Sequence, residues 1–538
     1  MKSSPAADPA PARPSFTMFA VAEVRGQIGP CGCTTDPLGD LSRTAQLVAQ
    51  ARAAGPVLFV DAGSLLYTHA PTPPRLVAQE DLKADLLAET YQKTLLADAV
   101  GLGPADLPRG VDRLRLPRVV SNAPGAGIPG GPTKLIEVGG AKAGVFGAIA
   151  QGAVAGLAVA DPVAAGKQAV AQLRGQGAQV VIGLLQAESK KDAVVLMRDI
   201  GGIDFAIAGL GLAAPEPDHV EIAPQKVGDG WLVVPGNRGQ VVARLEVTVR
   251  GAGAFADAVG PGAATARIGV VDRELAAIDA DLAAFARDRS ADPAFVARKR
   301  DERAQLAAER ERLKAHPLAV PPHGSYFTLE QVRINKALAC DPKVQDAVSE
   351  FFRRTGEANV KAAASVAVAP PPKGKASYTG TESCTDCHSD QAAFWARTVH
   401  AKAWKTLVDR GQQFDLDCIG CHVTGWDRPG GSNLGHNEQL RDVQCETCHG
   451  PGSIHVAKGG LEKPAAVVRA PADDLCASQC HTKEHSDTFQ LQAYLRDVLG
   501  PGHGEARRKQ LGDGPTGAQL RKAGFDKAGH TLGTGCTR

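Results

Sequence analysis

The chain carries the segment CTDCH at residues 384–388 and repeats its pattern twice, as CIGCH at 418–422 and as CETCH at 445–449. In each segment two cysteines are separated by two residues, and a histidine follows the second cysteine directly. Zinc ribbons also space cysteines in this way, but they do not require a histidine after every second cysteine. Two thiols at this spacing can add to the two vinyl groups of a haem, and the adjacent histidine then reaches the iron. The segments therefore predict haem c bound through Cys384, Cys387, Cys418, Cys421, Cys445 and Cys448, with His388, His422 and His449 as proximal ligands.

A fourth candidate motif, CASQCH at residues 476–481, has three residues between its cysteines instead of two. A bulge of one residue would still bring the sulfurs of Cys476 and Cys480 to the vinyl groups, with His481 below the iron. We therefore predict four haems; the alternative is a degenerate motif that holds a disulfide. Few large apolar side chains occur between residues 380 and 505, so haem is expected to supply much of the core there.

The second axial ligand of each iron is expected to be a histidine from outside the motifs. The three methionines, Met1, Met18 and Met197, lie outside the motif region, which disfavours His/Met ligation and favours bis-histidine ligation. Glycines beside two of the candidates would let the backbone approach a porphyrin closely. The distal candidates are His400, His436, His455 and His503, with His485 and His530 as weaker ones.

Composition excludes several classes of protein. The 60 Lys and Arg residues nearly balance the 58 Asp and Glu residues, which argues against a nucleic-acid partner. The sequence has no apolar run long enough to span a membrane. Haem attachment of this type happens outside the cytoplasm, so we expect export to the periplasm or the cell surface. Residues 1–15, predicted to be a flexible tether, lack the apolar core of a signal peptide, so a leader or lipid anchor is expected outside this numbering.

The order of apolar segments predicts several domains. Alternating strands and helices over 16–252 predict an α/β layered β-sandwich with flanking helices. The predicted strands lie at 16–24, 56–63, 143–150, 180–185, 205–210 and within 231–249, and the predicted helices include 96–100 and 162–177. Residues 265–360 are predicted to be helical, with a charged antiparallel hairpin over 270–315 and a further helix over 329–360. A linker at 361–380 precedes a mainly α haem domain at 381–505 and a C-terminal tail at 506–538.

Residues 383–503 resemble the tetrahaem cytochrome c-554 family. The shared segments are FWARTVHAKAW, CIGCHVTGW, VQCETCHGPGSIH and GPGHG. The resemblance implies closely stacked, mainly bis-histidine haems that exchange electrons with redox proteins. It also implies that one haem can be high-spin, with an open coordination site.

Residues 16–250 resemble the calcineurin-like metallophosphoesterase domain of the 5′-nucleotidase family, in segments such as VDAGSLL at 60–66. The metal ligands of that family are replaced in this chain. Glu23-Val24-Arg25 stands for Asp-x-His, Gly63-Ser64 for Gly-Asp, Gly103-Pro104-Ala105-Asp106 for Gly-Asn-His-Glu, Gln186 for a histidine, and Gly209-Leu210-Gly211-Leu212 for Gly-His-x-His. Two bridged ions need histidine and carboxylate ligands, so we predict that phosphoesterase activity is absent. A single ion held by Glu23, Asp61 and Asp106 is the minority alternative.

Cys31 and Cys33 leave several interpretations open: a thiol-sensitive site or metal ligand pair, a disulfide to Cys340 or Cys536, or buried free thiols. Three functions compete for the whole chain. The favoured one is an electron-transfer cytochrome, which leaves open whether the protein is an enzyme. A haem enzyme acting on nitrite, hydroxylamine or nitric oxide is the alternative, and a phosphate-ester hydrolase is the weakest.

Overall fold

The computed structural model describes residues 15–30, 33–212, 220, 222–286, 293–461 and 466–537. The predictions for the tether before residue 15 and for Cys31 lie outside the described residues. The chain divides into two compact units. We name Met1–Gln27, Arg43–Pro71 and Leu87–Ile334 the α/β unit, and Ile28–Ser42, Thr72–Leu86 and Asn335–Arg538 the cysteine-rich unit.

The strands of the described residues belong to the α/β unit. They are β1 (Phe16–Val21), β2 (Val57–Asp61), β3 (Ala99–Val100), β4 (Arg118–Val119), β5 (Gly130–Gly131), β6 (Thr133–Val138), β7 (Ala141–Ile149), β8 (Val180–Gln186), β9 (Phe205–Gly209), β10 (Gln225–Val227), β11 (Gly230–Val233), β12 (Val241–Thr248), β13 (Ala256–Asp257) and β14 (Tyr326–Arg333).

The helices of the described residues occur in both units. They are α1 (Leu41–Ala54), α2 (Val77–Lys93), α3 (Pro162–Gly175), α4 (Lys190–Ile200), α5 (Pro261–Phe285), α6 (Pro293–Ala315), α7 (Pro342–Ala363), α8 (Ser389–Trp395), α9 (Ala403–Val408), α10 (Cys445–His449), α11 (Ser453–Ala457), α12 (Leu475–Gln479), α13 (Leu491–Val498), α14 (Glu505–Gln510) and α15 (Gly517–Ala528). Short 3-10 turns at Thr381–Cys384, Val399–Lys402 and Ile419–Cys421 add to the haem-motif region.

Two six-stranded sheets form the α/β unit, which confirms the predicted layered α/β class. One sheet has the strand order β13-β14-β12-β1-β2-β3, and the other has the order β10-β11-β9-β8-β7-β6. One core cluster combines side chains of both sheets, among them Phe16, Leu58, Val145, Ile182 and Leu245, all of them buried. Strands rich in Val, Ile and Phe suit such a core because branched and aromatic side chains pack well on a pleated surface.

The sheet topology brings several strand ends to one place. In the first sheet β1 and β2 are parallel, with Thr17 opposite Val57 and Val21 opposite Asp61. In the second sheet β8 and β9 are parallel, with Gln186 opposite Gly209. Gln186 and Gly209, at the carboxyl ends of β8 and β9, are among the positions where the family resemblance implies replaced metal ligands. Carboxyl ends of parallel strands are where α/β proteins commonly bind ligands.

Two predicted elements are wrong. Residues 96–100 are not a helix, because Ala99–Val100 forms β3 and pairs with Val60 and Asp61. The helix predicted over 329–360 begins only at Pro342, because Tyr326–Arg333 forms β14 and pairs along its full length with β12. The sequence YFTLEQVR contains Leu, Glu and Gln, which favour a helix in isolation, but burial against the neighbouring strand outweighs that preference.

Other predicted elements are present with different bounds. The charged hairpin consists of α5 and α6, and α3 covers most of the helix predicted over 162–177. Residues 364–380, in the predicted linker, form neither helix nor strand, whereas the predicted tail contains α15. The cysteine-rich unit also includes residues 28–42 and 72–86, which the predicted domain boundaries assign to the α/β domain. None of the described helices is long and apolar enough to cross a membrane.

Candidate functional site

The first three cysteine motifs are each wound into a tight helical turn. In the first, the backbone N–H of His388 donates to the carbonyl of Cys384 at 2.9 Å. In the second, a 3-10 turn covers Ile419–Cys421, and in the third, α10 covers Cys445–His449. Residues three apart lie on one face of such a turn, so each winding places both thiols of a motif side by side. This is the arrangement that two vinyl groups of one porphyrin require.

The fourth motif accommodates its extra residue by a wider turn. The backbone N–H of His481 donates to the carbonyl of Cys476 at 2.8 Å. This bond closes a turn that is one residue longer than the turn between Cys384 and His388 in the first motif. The His481 ring stacks on Phe489, with ring centres 5.0 Å apart. The extra residue therefore widens the turn locally, as a π-type bulge does, and leaves the histidine directly after the second cysteine.

Six of the predicted ligand histidines lie in three pairs within the cysteine-rich unit. His388 lies opposite His455, with ring centres 6.4 Å apart. His400 lies opposite His481 at 6.2 Å, and His449 lies opposite His503 at 6.1 Å. Each pair joins a motif histidine to one of the distal candidates.

These separations are those of two imidazoles on opposite sides of one metal ion. A metal–nitrogen bond to histidine is about 2.0–2.1 Å long. The nitrogen lies about 1.1 Å from the centre of a five-membered ring with bonds of about 1.3 Å. Two rings bound to the same ion therefore have centres about 6.3 Å apart. The residues present fit a bis-histidine haem iron at three of the four motifs.

Nδ1 of several motif and distal histidines forms a hydrogen bond. Nδ1 of His449 lies 2.8 Å from the Val468 carbonyl, and Nδ1 of His503 lies 2.7 Å from the Val498 carbonyl. Nδ1 of His422 lies 2.6 Å from the Ala403 carbonyl. An N–H at Nδ1 that donates to a carbonyl fixes the tautomer and leaves Nε2 as the metal-binding atom, as is usual for ligating histidines.

Burial keeps several of these rings neutral. It lowers the pKa of His481 to about 4. Burial also lowers the pKa of His400 and of His422. A neutral imidazole is the form that binds iron, so this environment favours the ligand form at ordinary pH.

His422 is the exception among the motif histidines. Its ring nitrogen contacts the Ala403 carbonyl and Thr406 Oγ1, and within the described residues no second histidine ring lies opposite it. His436 is exposed and has no ring contact among the described residues. His485 lies 2.9 Å from Thr482 Oγ1, and His530 lies 3.7 Å from Asp36. The structure thus pairs three of the four distal candidates with motif histidines, and His436 has no such pair among the described residues.

The four motifs are adjacent to one another in a defined order. The thiol of Cys421 in the second motif contacts that of Cys480 in the fourth. The Cys448 thiol of the third motif interacts electrostatically with Cys476 of the fourth. The thiol of Cys445 in the third motif contacts that of Cys384 in the first. The spatial order of the motifs is therefore second, fourth, third, first.

Glu446, inside the third motif, holds three segments together. Its buried carboxylate accepts hydrogen bonds from the backbone N–H groups of Thr379, Gly380 and Gly452, at 2.9, 2.8 and 2.7 Å. The first two residues lead into the first motif, and Gly452 directly precedes α11, which carries His455. Sequence reasoning missed this residue, because a glutamate between two cysteines looks like an ordinary surface residue.

One disulfide, Cys340–Cys536, joins the start of α7 to the C-terminal end of the described chain. Cys340 and Cys536 bond each other, so the predicted disulfide from Cys31 or Cys33 to one of them is wrong. Cys33 forms no disulfide, and its backbone carbonyl accepts a hydrogen bond from Arg521.

At the replaced metal site of the α/β unit, Asp106 is fully occupied by hydrogen bonds. Its carboxylate accepts from the backbone N–H groups of Ser64, Leu65, Leu66 and Gly103, and from Arg118 Nη2 at 3.0 Å. Neither the carboxylate nor the Arg118 side chain is exposed. A carboxylate has about four lone-pair sites, so Asp106 has none left for a metal ion.

The Glu23 carboxylate also has hydrogen-bond partners within the protein. Its carboxylate accepts from Arg25 Nε at 2.8 Å, from Gln186 Nε2 at 3.1 Å and from the Gly211 N–H at 3.1 Å. Burial raises the pKa of Glu23, and the Arg25 guanidinium opposes that rise. The Arg25 cation is bonded to this carboxylate, so a second cation beside it would be repelled.

Comparison with known sequences gives one family match. Residues 383–450 match the family "Cytochrome c554 and c-prime". A curated relative, cytochrome c-554 of Nitrosomonas europaea, is 37% identical over a stretch that covers 14% of this chain and 40% of that protein. The matched stretch therefore spans less than half of the relative.

Solved structures similar to this chain include a 5′-nucleotidase precursor from Thermus thermophilus, with a TM-score of 0.41 and 17% identity over 66% of this chain and 61% of that one. The calcineurin-like phosphoesterase YfkN from Bacillus subtilis has a TM-score of 0.35 and 20% identity, over 44% of this chain and 86% of that one. At these values neither similarity says anything about activity. Residues 383–450, which contain the first three cysteine motifs, carry the sequence pattern of the cytochrome c554 and c-prime family, which implies haem c in this region.

Proposed function

We propose that the chain is an exported tetrahaem c-type cytochrome that transfers electrons between redox proteins. Attachment would use the eight cysteines of the four motifs, and the proximal ligands would be His388, His422, His449 and His481. Haem c supplies reversible one-electron chemistry when bound. The observation that carries the proposal is the set of three histidine pairs at 6.1–6.4 Å, the spacing of two imidazoles on one iron.

The histidine pairs support a choice of distal ligand for three of the sites. His455 would complete the first site, His503 the third and His400 the fourth, so these three irons would be low-spin. His422 has no opposite ring among the described residues, so the second site would be five-coordinate or bind a small exogenous ligand. Bis-histidine ligation favours low reduction potentials, since no methionine is available in this unit to raise them.

The order of the motifs gives electron transfer a linear path through the unit. The second motif contacts the fourth through Cys421 and Cys480, and the first contacts the third through Cys384 and Cys445. The first and second motifs are thus the two ends of the series. The residues between them hold neighbouring attachment sites close enough for transfer within one polypeptide.

The proposal is tested by producing the chain with an export signal in a cell that matures c-type cytochromes. The expected product is red, and its intact mass and pyridine haemochrome content correspond to four haems. A product with three haems would show that Cys476 and Cys480 are not used. A colourless product would contradict the proposal altogether.

A second candidate function is favoured by the isolated position of His422. An iron with a free coordination site can react with a small nitrogen compound such as nitrite, hydroxylamine or nitric oxide. Turnover of one of these compounds by the reduced or oxidised protein would support this function. Binding of nitric oxide without turnover would leave electron transfer as the function.

We further propose that the α/β unit is catalytically inactive as a phosphoesterase. Asp106 and Glu23 are bonded to Arg118 and Arg25, and Gln186 replaces a ligand histidine. Assays of nucleotide and phosphate-ester hydrolysis with added Mn²⁺, Mg²⁺ or Zn²⁺ are expected to show no metal-dependent rate. Metal-dependent hydrolysis that disappears in Asp61→Asn would overturn this assignment.

Export is supported by the disulfide between Cys340 and Cys536. Disulfides persist in oxidising compartments, which are also where haem c is attached. Fractionation of cells that make the native protein is expected to place it in the periplasm or at the cell surface. Recovery of haem-free protein in the cytoplasm alone would count against export.

A further inference from the structure

We propose that residues 72–86 are a positioning element of the second haem site, and that Glu80 and Lys83 set the charge beside Cys418. This inference rests on the proposed haem at Cys418–His422 and identifies residues that position that site and affect its reduction potential. Residues 72–86 lie far from the motifs in sequence, yet they belong to the cysteine-rich unit. They include the first half of α2.

Gln79 fixes the backbone that leads into the second motif. Its side chain is fully buried, and Nε2 donates to Asp415 Oδ1 at 2.7 Å and to Asp417 Oδ2 at 3.2 Å. Its Oε1 accepts from the Leu416 N–H and from Asn359 Nδ2, each at 3.1 Å. One amide side chain thus contacts each of the three residues that immediately precede Cys418.

Asp415 connects Gln79 to Cys418 through hydrogen bonds. Its backbone carbonyl accepts from the N–H groups of Cys418 and Ile419, both at 3.0 Å. These bonds begin the turn that carries both thiols of the motif. A shift of Asp415 would therefore move the thiols relative to His422, whose ring is fixed independently by the Ala403 carbonyl.

A buried charge cluster lies at the same place. Lys83 Nζ donates to Glu80 Oε1 at 2.7 Å and to Asp417 Oδ2 at 3.3 Å. The side chains of Lys83 and Glu80 are 9% and 0% exposed, so solvent screens their charges only weakly. Asp415 also acts electrostatically on Lys83, so the cluster beside Cys418 contains charges of both signs.

Charge next to a haem changes its reduction potential, because it stabilises one oxidation state of the iron over the other. Removal of a negative charge from the cluster should raise the potential of the second site. Removal of the positive charge should lower it. A purely structural role of the cluster would not produce shifts of opposite sign.

The experiment compares Glu80→Gln, Lys83→Met and the unchanged full-length chain, each matured with haem. Potentiometric titration at mildly alkaline pH, where free carboxylates are ionised, would follow the high-spin ferric signal assigned to the second site. Glu80→Gln is expected to raise its potential and Lys83→Met to lower it, with the three low-spin potentials unchanged. Lys93→Met, an exposed lysine at the end of the same helix, is the matched control and should cause no shift.

The outcomes separate this inference from the proposed function. Absence of a high-spin signal in the unchanged protein would contradict the proposed haem assignment. A normal high-spin signal whose potential moves in neither variant would overturn the role of residues 72–86. Selective loss of the second haem from Lys83→Met would support the positioning role. If Lys83→Met is not recovered, the near-isosteric Glu80→Gln decides the question alone.

Discussion

The replaced metal site of the α/β unit and the motif region of the cysteine-rich unit arrange their polar side chains in opposite ways. In the α/β unit, the Asp106 carboxylate accepts four backbone hydrogen bonds and one from Arg118. In the cysteine-rich unit, three histidine pairs have ring centres 6.1–6.4 Å apart, too far for hydrogen bonds between the rings. In the α/β unit the protein itself satisfies the lone pairs of the Asp106 carboxylate. In the cysteine-rich unit the paired rings are as far apart as two histidines that bind one metal ion.

The difference lies in the partners of the polar side chains. In the α/β unit, Arg25 and Arg118 are the cations bonded to Glu23 and Asp106. In the cysteine-rich unit, the paired rings keep the separation expected of two ligands of one ion. Nδ1 of His449 and Nδ1 of His503 each lie within hydrogen-bond distance of a backbone carbonyl.

The largest effect is expected from the double substitution Cys445→Ser and Cys448→Ser. These thiols lie beside Cys384 of the first motif and Cys476 of the fourth, so the third site is central to the series. We expect the loss of one haem by intact mass, together with disrupted electron transfer between the two ends. Cys340→Ser with Cys536→Ser, which removes the disulfide, should retain all haems. An unchanged haem count in the motif variant would show that this pair does not attach haem.

A smaller effect is expected from His503→Ala. The haem count should stay unchanged, but one iron should change from low-spin to high-spin because His449 loses its opposite ring. Electron paramagnetic resonance would detect the change. His436→Ala is the matched control, since His436 is exposed and contacts no other histidine ring among the described residues. A spin change in the control and none in His503→Ala would refute the proposed pairing.

In the α/β unit we expect Arg118→Met to affect stability instead of activity. The substitution leaves the buried Asp106 without its cation, and breaking a buried pair by removing one partner costs about 3–5 kcal/mol. Native-state hydrogen exchange of the β2 and β8 amides would measure the loss. Arg244→Met removes the partly exposed pair with Glu246 and should cost about 0–1 kcal/mol. Equal effects of the two variants would show that the buried pair is not a structural element.

The smallest effect is expected from Asp61→Asn. Burial raises the pKa of Asp61 to about 7, above the value of about 3.9 in an unfolded chain. The folded state therefore keeps a proton that the unfolded state releases, so stability falls as pH rises from about 4 through about 7. The asparagine variant should lose this pH dependence. At alkaline pH its free energy of unfolding should exceed that of the unchanged protein by at most a few kcal/mol, since one pKa unit corresponds to about 1.4 kcal/mol. Identical pH profiles for the two proteins would contradict the raised pKa.

Local sequence patterns predicted what depends on local geometry. The spacing of Cys384, Cys387 and His388 is a property of one helical turn, so it is visible in five residues. Long-range pairing could not be predicted in this way. His400 lies opposite His481 although 80 positions of sequence separate them, and no single-sequence pattern encodes that contact. The composition of one segment likewise could not show that Gln79 contacts Asp415.

The errors have the same cause. Tyr326–Arg333 has residues that favour a helix, but its antiparallel pairing with β12 requires a strand. The choice between His436 and His455 also depends on long-range packing, because the fold places the His455 ring opposite a motif histidine and leaves His436 exposed. Glu446 was overlooked because its role depends on three backbone N–H groups from two other segments.

The central claim is that the four motifs hold four haems, three of them between paired histidines and one on His422 alone. Electron paramagnetic resonance of the oxidised, exported full-length protein, quantified against its haem content, tests this claim most directly. We expect low-spin and high-spin ferric signals in a ratio of three to one. Four low-spin haems, or fewer haems than motifs, would contradict it.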